Sequence, residues 1–229
     1  MKHYMLAALI TAALVSGCAG GGGNKNTADV VEEDSRAELP VLKVYNMGGV
    51  PDGIMQHLVE RLGAVYENTE PAGNLSLVDS AHIDNDRKGN DRYWFRILNN
   101  DVTKKTDTRR EIALVVVNAE VCNYTKAGSH ANLGISMRGR RISFVSYRRL
   151  KVNGLDDTDN LLKVSVHELG HSVGALVAGH KELRMHCPDD KCLMRDACNG
   201  YPYRNVNSFC HKCDSVMQKH GFNTANLGL

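Results

Sequence analysis

A five-residue segment carries the residues with the clearest chemistry in this chain. It runs His167-Glu168-Leu169-Gly170-His171. Two histidines at i and i+4 lie on one face of an α-helix, so both imidazoles can reach one tetrahedral Zn²⁺ at about 2.0–2.1 Å. Glu168 stands beside them, where its carboxylate can act as general base toward a zinc-activated water that attacks a carbonyl. The segment therefore predicts a hydrolytic zinc site.

The third protein ligand of such a site is open on spacing alone. A catalytic zinc needs three protein ligands and one open position. Gly174, three residues after His171, can let the chain turn back toward the metal, as glycine does at helix ends. The candidates that follow are His180, Glu182 and His186. Glu182 follows the helix sooner than such a ligand usually does.

The C-terminal region contains two cysteine pairs, Cys187-x4-Cys192 and Cys210-x2-Cys213. Each pair can hold one side of a tetrahedral zinc through thiolates at about 2.3 Å. The alternative is disulfide bonding, because the N-terminus predicts an oxidising compartment. The remaining cysteines of the folded part, Cys122 and Cys198, are either buried thiols or a disulfide.

The elements that position these residues follow from apolar periodicity and capping signals. The histidines fall within a helix predicted over residues 161–177, with Asp157 or Thr158 as its cap. Strands alternate with helices along the rest of the chain, which favours an α/β fold. The predicted strands cover residues 40–47, 74–83, 111–121 and 142–150, and the other predicted helices cover residues 53–67, with Asp52 as cap, and 92–99.

The N-terminus is predicted to be an export signal. Residues 1–17 contain one lysine, then an apolar run, then small residues, and Leu14-Val-Ser-Gly-Cys18 resembles a bacterial lipobox. Cleavage before Cys18 and lipidation of its sulfur would anchor the protein to a membrane, on the periplasmic or cell-surface side. The alternative is an ordinary signal with an incidental cysteine. Residues 18–38 are predicted to be a flexible linker, and residues 39–229 the folded domain.

Composition excludes several classes of protein. Hydrophobic residues make up 42% and charged residues 24% of the 229 residues, as in globular proteins. The net charge of +2 lacks the basic excess of a nucleic-acid binder, so no nucleic-acid partner is expected. The apolar run near the N-terminus is too short to span a bilayer as a helix of about 20 residues.

Taken together, these motifs resemble the archaemetzincins, a branch of the metzincin clan of zinc metallopeptidases. The resemblance covers about residues 39–220 and includes the strand at residues 141–150. The motifs that carry it are His167-Glu-x-x-His171-x-x-Gly174, His186-Cys187, Cys187-x4-Cys192, Met194 and Cys210-x-x-Cys213. The resemblance implies an α/β (α+β) domain with a mixed sheet, an active-site helix and a small cysteine-rich C-terminal part.

The resemblance also implies the roles of the site residues. It implies two zinc ions, a catalytic one on His167, His171 and His186 and a structural one on the four paired cysteines. It implies Glu168 as general base and Met194 in a Met-turn beneath the catalytic metal. The family pattern places the third histidine at the position of Val177, so His186 fits only with an insertion of about nine residues near 177–185.

These inferences predict a membrane-anchored, monomeric zinc metallopeptidase that cleaves a peptide or protein substrate. The displaced third histidine motivates an alternative, a catalytically inactive zinc-binding lipoprotein that recognises peptides or partner proteins. A zinc hydrolase that acts on a non-peptide amide is a third hypothesis.

Overall fold

A computed structural model describes residues 39–83, 92–125, 128–137, 141–155, 157–175, 186–195 and 206–229. Eight strands and five helices lie within these ranges. The strands are β1 (Val41–Met47), β2 (Thr69–Leu75), β3 (Arg92–Trp94), β4 (Glu111–Val117), β5 (Glu120–Thr125), β6 (Gly128–Asn132), β7 (Gly134–Met137) and β8 (Ile142–Ser146). The helices are α1 (Asp52–Val65), α2 (Phe95–Lys105), α3 (Tyr147–Val152), α4 (Thr158–Val173) and α5 (His211–Lys219).

The main sheet is mixed and has five strands in the order β2-β1-β4-β8-β7. Its strands are parallel except β7, which runs antiparallel to β8 at one edge. A three-stranded sheet, β3-β5-β6, accompanies it. The mixed sheet and its helices confirm the predicted α/β class.

Each face of the main sheet carries a hydrophobic core. Along β4, Ile112, Leu114 and Val116 belong to the core that includes residues of α1 and α4. Their neighbours Ala113, Val115 and Val117 belong to the core that includes residues of α2. Because both faces are covered, this strand has a continuous apolar run rather than an alternating pattern.

Local signals place the helix that carries the histidines. Asp157 is the N-cap of α4, and its Oδ1 accepts a hydrogen bond from the backbone N–H of Asn160 at 2.7 Å. Gly174 adopts a left-handed conformation, with φ 82°, immediately after the last helical residue. The predicted cap at Asp157 is therefore confirmed. The helix ends at Val173 rather than at residue 177, because the left-handed glycine terminates it.

Several predicted boundaries are wrong. The strand predicted over residues 74–83 is misplaced: β2 lies at Thr69–Leu75 and overlaps it only at residues 74–75, and Asp79–Ala81 is a short 3-10 helix. β2 is an edge strand whose residues are mostly exposed, so it lacks the apolar pattern of a buried strand. At the start of α1, Pro51 occupies the N-cap position, and the predicted cap Asp52 is the first helical residue.

Three other predicted elements each divide into two. The strand predicted over 142–150 ends at Ser146, whose side chain accepts a hydrogen bond from the N–H of Arg149 and starts α3. The strand predicted over 111–121 comprises β4 and the start of β5, and the helix predicted over 92–99 comprises β3 and the start of α2. Most apolar residues of these three runs are buried, although Trp94 and Ile97 are only half-buried, and the backbone changes direction within each run.

Some predictions fall outside the described residues. These are the export signal and linker with Cys18, the insertion near residues 177–185 with His180 and Glu182, and Cys198. Across the described ranges, every helix is too short or too polar to cross a membrane.

Candidate active site and cysteine cluster

The structure brings three histidines together at the C-terminal half of α4. The ligand nitrogens of His167, His171 and His186 lie within 4.8 Å of one another. The Nε2 atoms of His167 and His171 are 3.0 Å apart. Bonds of 2.0–2.1 Å to a tetrahedral zinc would place two nitrogens about 3.3 Å apart. The geometry therefore fits a zinc ion. Within the described residues, His186 is the candidate for the third ligand.

The environment of His167 fixes which of its ring nitrogens is available to bind a metal. His167 is 2% exposed, and its Nδ1 lies 2.6 Å from the backbone oxygen of Leu193. A carbonyl oxygen only accepts hydrogen bonds, so Nδ1 carries the proton and donates it. In the neutral ring, Nε2 then presents its lone pair toward His171. Such a contact to the second nitrogen orients and strengthens a metal-binding histidine.

Glu168 is held against the edge of the main sheet. Its side chain is buried, and Ser136 Oγ on β7 donates a hydrogen bond to its Oε2 at 2.8 Å. Burial raises the pKa of the Glu168 carboxyl to about 8, although the hydrogen bond from Ser136 acts in the opposite direction. A carboxyl with a raised pKa is a stronger proton acceptor once ionised, as a general base requires.

Residues of β7 and β8 that were not predicted from the sequence also surround Glu168. Gly134 on β7 faces Glu168 so closely that a Cβ there would lie 2.7 Å from the Glu168 Cδ. Ser143 on β8 donates a hydrogen bond to the backbone oxygen of Glu168 at 3.0 Å, and also lies 2.9 Å from Ser136 Oγ. No short motif marks these residues, since Ser143 precedes Glu168 by 25 residues and Ser136 precedes it by 32.

The four paired cysteines form a second cluster. The sulfurs of Cys187, Cys192, Cys210 and Cys213 lie within 4.8 Å of one another. Cys187 Sγ and Cys210 Sγ are 3.7 Å apart. A disulfide would require about 2.05 Å, whereas tetrahedral zinc–sulfur bonds of about 2.3 Å place two sulfurs about 3.8 Å apart. The distances therefore fit a tetrahedral metal site. The described cysteines are all free thiols, without a disulfide among them.

The hydrogen bonds of the cluster are those of a thiolate site. The backbone N–H groups of Met194 and Cys210 donate to Cys192 Sγ at 3.4 and 3.2 Å. A hydrogen bond from the Cys213 thiol, together with these donors, lowers the pKa of Cys192 to about 5. Burial raises the pKa of Cys187 to about 12. A metal ion bound to all four sulfurs would displace the remaining thiol protons and stabilise the four thiolates together.

Cys122 lies apart from this cluster. It is a buried free thiol of β5, 1% exposed, and burial raises its pKa. A buried thiol with a raised pKa is unreactive. Of the two interpretations that the sequence allowed for this residue, the structure selects the buried thiol.

Met194 packs beneath the helix that carries the histidines. Its side chain is fully buried, and a Cβ added to Gly170 would come closer than 3.0 Å to its sulfur. Gly170 therefore lets α4 approach the segment that contains Met194. This is the position that the resemblance assigned to a Met-turn.

This chain resembles known proteins in structure rather than in sequence. The sequence matches no protein-family model and no curated protein. The structure is similar to the crystal structure of archaemetzincin AmzA from Methanopyrus kandleri, with a TM-score of 0.59 and 21% identity over 81% of this chain and 97% of that chain. It is also similar to archaemetzincin AmzA from Archaeoglobus fulgidus complexed with malonate, with a TM-score of 0.55 and 19% identity over 77% of this chain and 99% of that chain. This chain has the archaemetzincin fold.

Proposed function

We propose that this protein is a zinc-dependent metallopeptidase in which His167, His171 and His186 hold the zinc and Glu168 is the general base. The observation that carries the proposal is the convergence of three histidine nitrogens next to a buried carboxylate. A purely structural zinc site gains little from such a carboxylate. When bound, zinc would supply a Lewis acid that lowers the pKa of water and polarises the substrate carbonyl.

Glu168 performs the proton transfer, and neighbouring groups hold it and His167 in position. Glu168 accepts a proton from the attacking water and passes it to the leaving amine. Ser136 holds Oε2, so the carboxylate keeps one orientation while the water attacks. Leu193, through its backbone oxygen, keeps His167 in the tautomer that can bind a metal.

The edge of the main sheet offers a place for an extended peptide. Within the described residues, β7 pairs with β8 on one side and with no strand on the other. An unpaired edge can add an extended peptide through backbone hydrogen bonds. Gly134 and Ser136 on this strand contact Glu168, so such a peptide would run past the general base. This juxtaposition favours a peptide over a non-peptide amide as substrate.

The test is cleavage of a mixed peptide library, read by mass spectrometry, with zinc content measured on the same samples. The wild-type chain should cleave peptides, and Glu168→Gln should bind equal zinc and lose about 10²–10⁴-fold in rate. Wild-type protein that holds zinc and binds peptides without cleaving them would favour the inactive peptide-binding lipoprotein instead. Undiminished cleavage by Glu168→Gln would refute the role of Glu168.

We further propose that the protein is exported and anchored to a membrane through lipid on Cys18, and that it is monomeric. The lipobox-like segment supports the anchor. Cys18→Ser should move the protein from the membrane fraction to the soluble fraction and abolish fatty-acid labelling. Light scattering on the released protein should give the mass of one chain, and a larger mass would contradict the monomer.

A further inference from the structure

The two candidate metal sites share one short segment of chain. His186 and Cys187 are consecutive residues, and they belong to the histidine site and the cysteine cluster respectively. Leu193, whose backbone oxygen accepts the hydrogen bond from His167, lies directly between Cys192 and Met194. The segment 186–194 therefore contributes to the histidine site at both ends. His186 supplies a candidate ligand, and Leu193 supplies the hydrogen-bond acceptor of His167.

The cysteine cluster holds this segment in shape. The N–H of Cys187 donates to the oxygen of Met194 at 2.7 Å, which closes residues 187–194 into a loop. The N–H of Met194 donates to Cys192 Sγ, and the N–H of Leu193 donates to the oxygen of Ser208 at 2.8 Å. Leu193 and Met194 are fully buried, so the core holds the C-terminal end of the loop. Residues 188–191 are exposed, so the cysteine cross-link through Cys187 is the constraint at the other end, beside His186.

We infer that the cysteine cluster is the positioning element of the histidine site: metal bound by the four cysteines strengthens metal binding by His167, His171 and His186. The physical reason is that both His186 and the Leu193 oxygen move with the loop. Without the cross-link, His186 must be ordered when the metal binds, and His167 loses the acceptor that fixes its tautomer. Loss of such a supporting contact commonly weakens metal affinity by 10–100-fold.

Thermodynamic linkage makes the inference symmetric. If metal on the cysteines raises the affinity of the histidine site by some factor, metal on the histidines must raise the affinity of the cysteine site by the same factor. The inference rests on the histidine metal site of the proposed function but not on its catalysis, because both affinities are measured without substrate.

The experiment uses the full-length chain, purified in mild detergent, with Co²⁺ as the probe. Cobalt bound to thiolates gives a charge-transfer absorption that cobalt on histidines lacks, so the two sites are read separately. The variant Cys210→Ser/Cys213→Ser removes half of the cluster and leaves residues 186–195 unchanged. We expect its histidine site to bind Co²⁺ 10–100-fold more weakly, by competition with a chelator. Cys213→His, which keeps four ligands, should restore the affinity.

Matched controls make the result decisive. Cys122→Ser changes a buried cysteine outside the cluster and should leave the histidine site at wild-type affinity. His171→Gln tests the reverse direction without altering the cysteines, and should weaken the cysteine site by the same factor. Wild-type histidine-site affinity in the folded double cysteine variant, or wild-type cysteine-site affinity in His171→Gln, would overturn the inference. If the wild-type chain cleaves no peptide while both couplings hold, the proposed function fails and the inference stands.

Discussion

Gly134→Ala should disable the general base without touching a metal ligand. The added Cβ would lie 2.7 Å from the Glu168 Cδ, and closer still to its Cγ. Carbon atoms in van der Waals contact are about 3.5 Å or more apart, so the Glu168 side chain must move by about 1 Å. That movement would pull Oε2 away from Ser136 Oγ, which lies 2.8 Å from it. A misplacement of this size can cost about 10²-fold in rate, or about 2.7 kcal/mol of transition-state stabilisation.

The assay is kcat/KM on the best peptide from the library, with zinc content and urea unfolding measured in parallel. We expect Gly134→Ala to keep its zinc, to lose about 10²-fold in kcat/KM and to lose about 1–3 kcal/mol of stability through overpacking. Gly63→Ala in α1 is the matched control, because a Cβ there meets nothing within 4 Å. It should keep full activity and gain about 0.5–1 kcal/mol. Wild-type kcat/KM in Gly134→Ala would refute the placement of the general base beside β7.

Substitutions at four further residues test the contacts of Glu168 and the packing and capping of α4. Ser136→Ala should lower kcat/KM with zinc content unchanged, because Ser136 donates to the Glu168 carboxylate. Ser143 bonds to the backbone oxygen of Glu168 and to the Ser136 hydroxyl, so Ser143→Ala should have the smaller effect on rate in the same assay. Met194→Ala should cost about 2–5 kcal/mol in urea unfolding because it leaves a cavity under α4, and Met194→Leu less than about 1.5 kcal/mol. Asp157→Ala removes the N-cap of α4 and should cost about 0.5–2 kcal/mol by the same measurement. A cost near zero at Asp157 would show that tertiary packing alone fixes the start of the helix.

The part of the site that lies on α4 could be predicted because its determinants are local. The spacing of His167 and His171, the cap at Asp157 and the turn at Gly174 all lie within one segment of fewer than 20 residues. The i and i+4 geometry needs only a helix, and the cap at Asp157 marks where that helix begins. The predicted end at residue 177 was wrong, because Gly174 ends the helix at Val173. No knowledge of the rest of the fold was required.

The part of the site on β7 could not be predicted, since it depends on the topology of the sheet. Ser136 precedes Glu168 by 32 residues, and only the antiparallel pairing of β7 with β8 brings it to α4. β7 is an edge strand of only four residues, in which Ile135 and Met137 alternate with Gly134 and Ser136, so its apolar pattern is too short to predict a strand. The same weakness explains the misplaced β2, an edge strand that contains Pro71 and Gly73.

The arrangement explains why a displaced third histidine is compatible with a complete histidine site. The position of His186 is set from its C-terminal side, by Cys187 and the closed loop that follows it, rather than by its distance from His171 along the chain. An insertion between α4 and His186 lengthens the connection but does not alter this constraint. The entropy cost of closing a chain segment rises only slowly with its length, by about 0.6 kcal/mol for each doubling. Loss of the cysteine cross-link should therefore weaken the histidine site more than the insertion does.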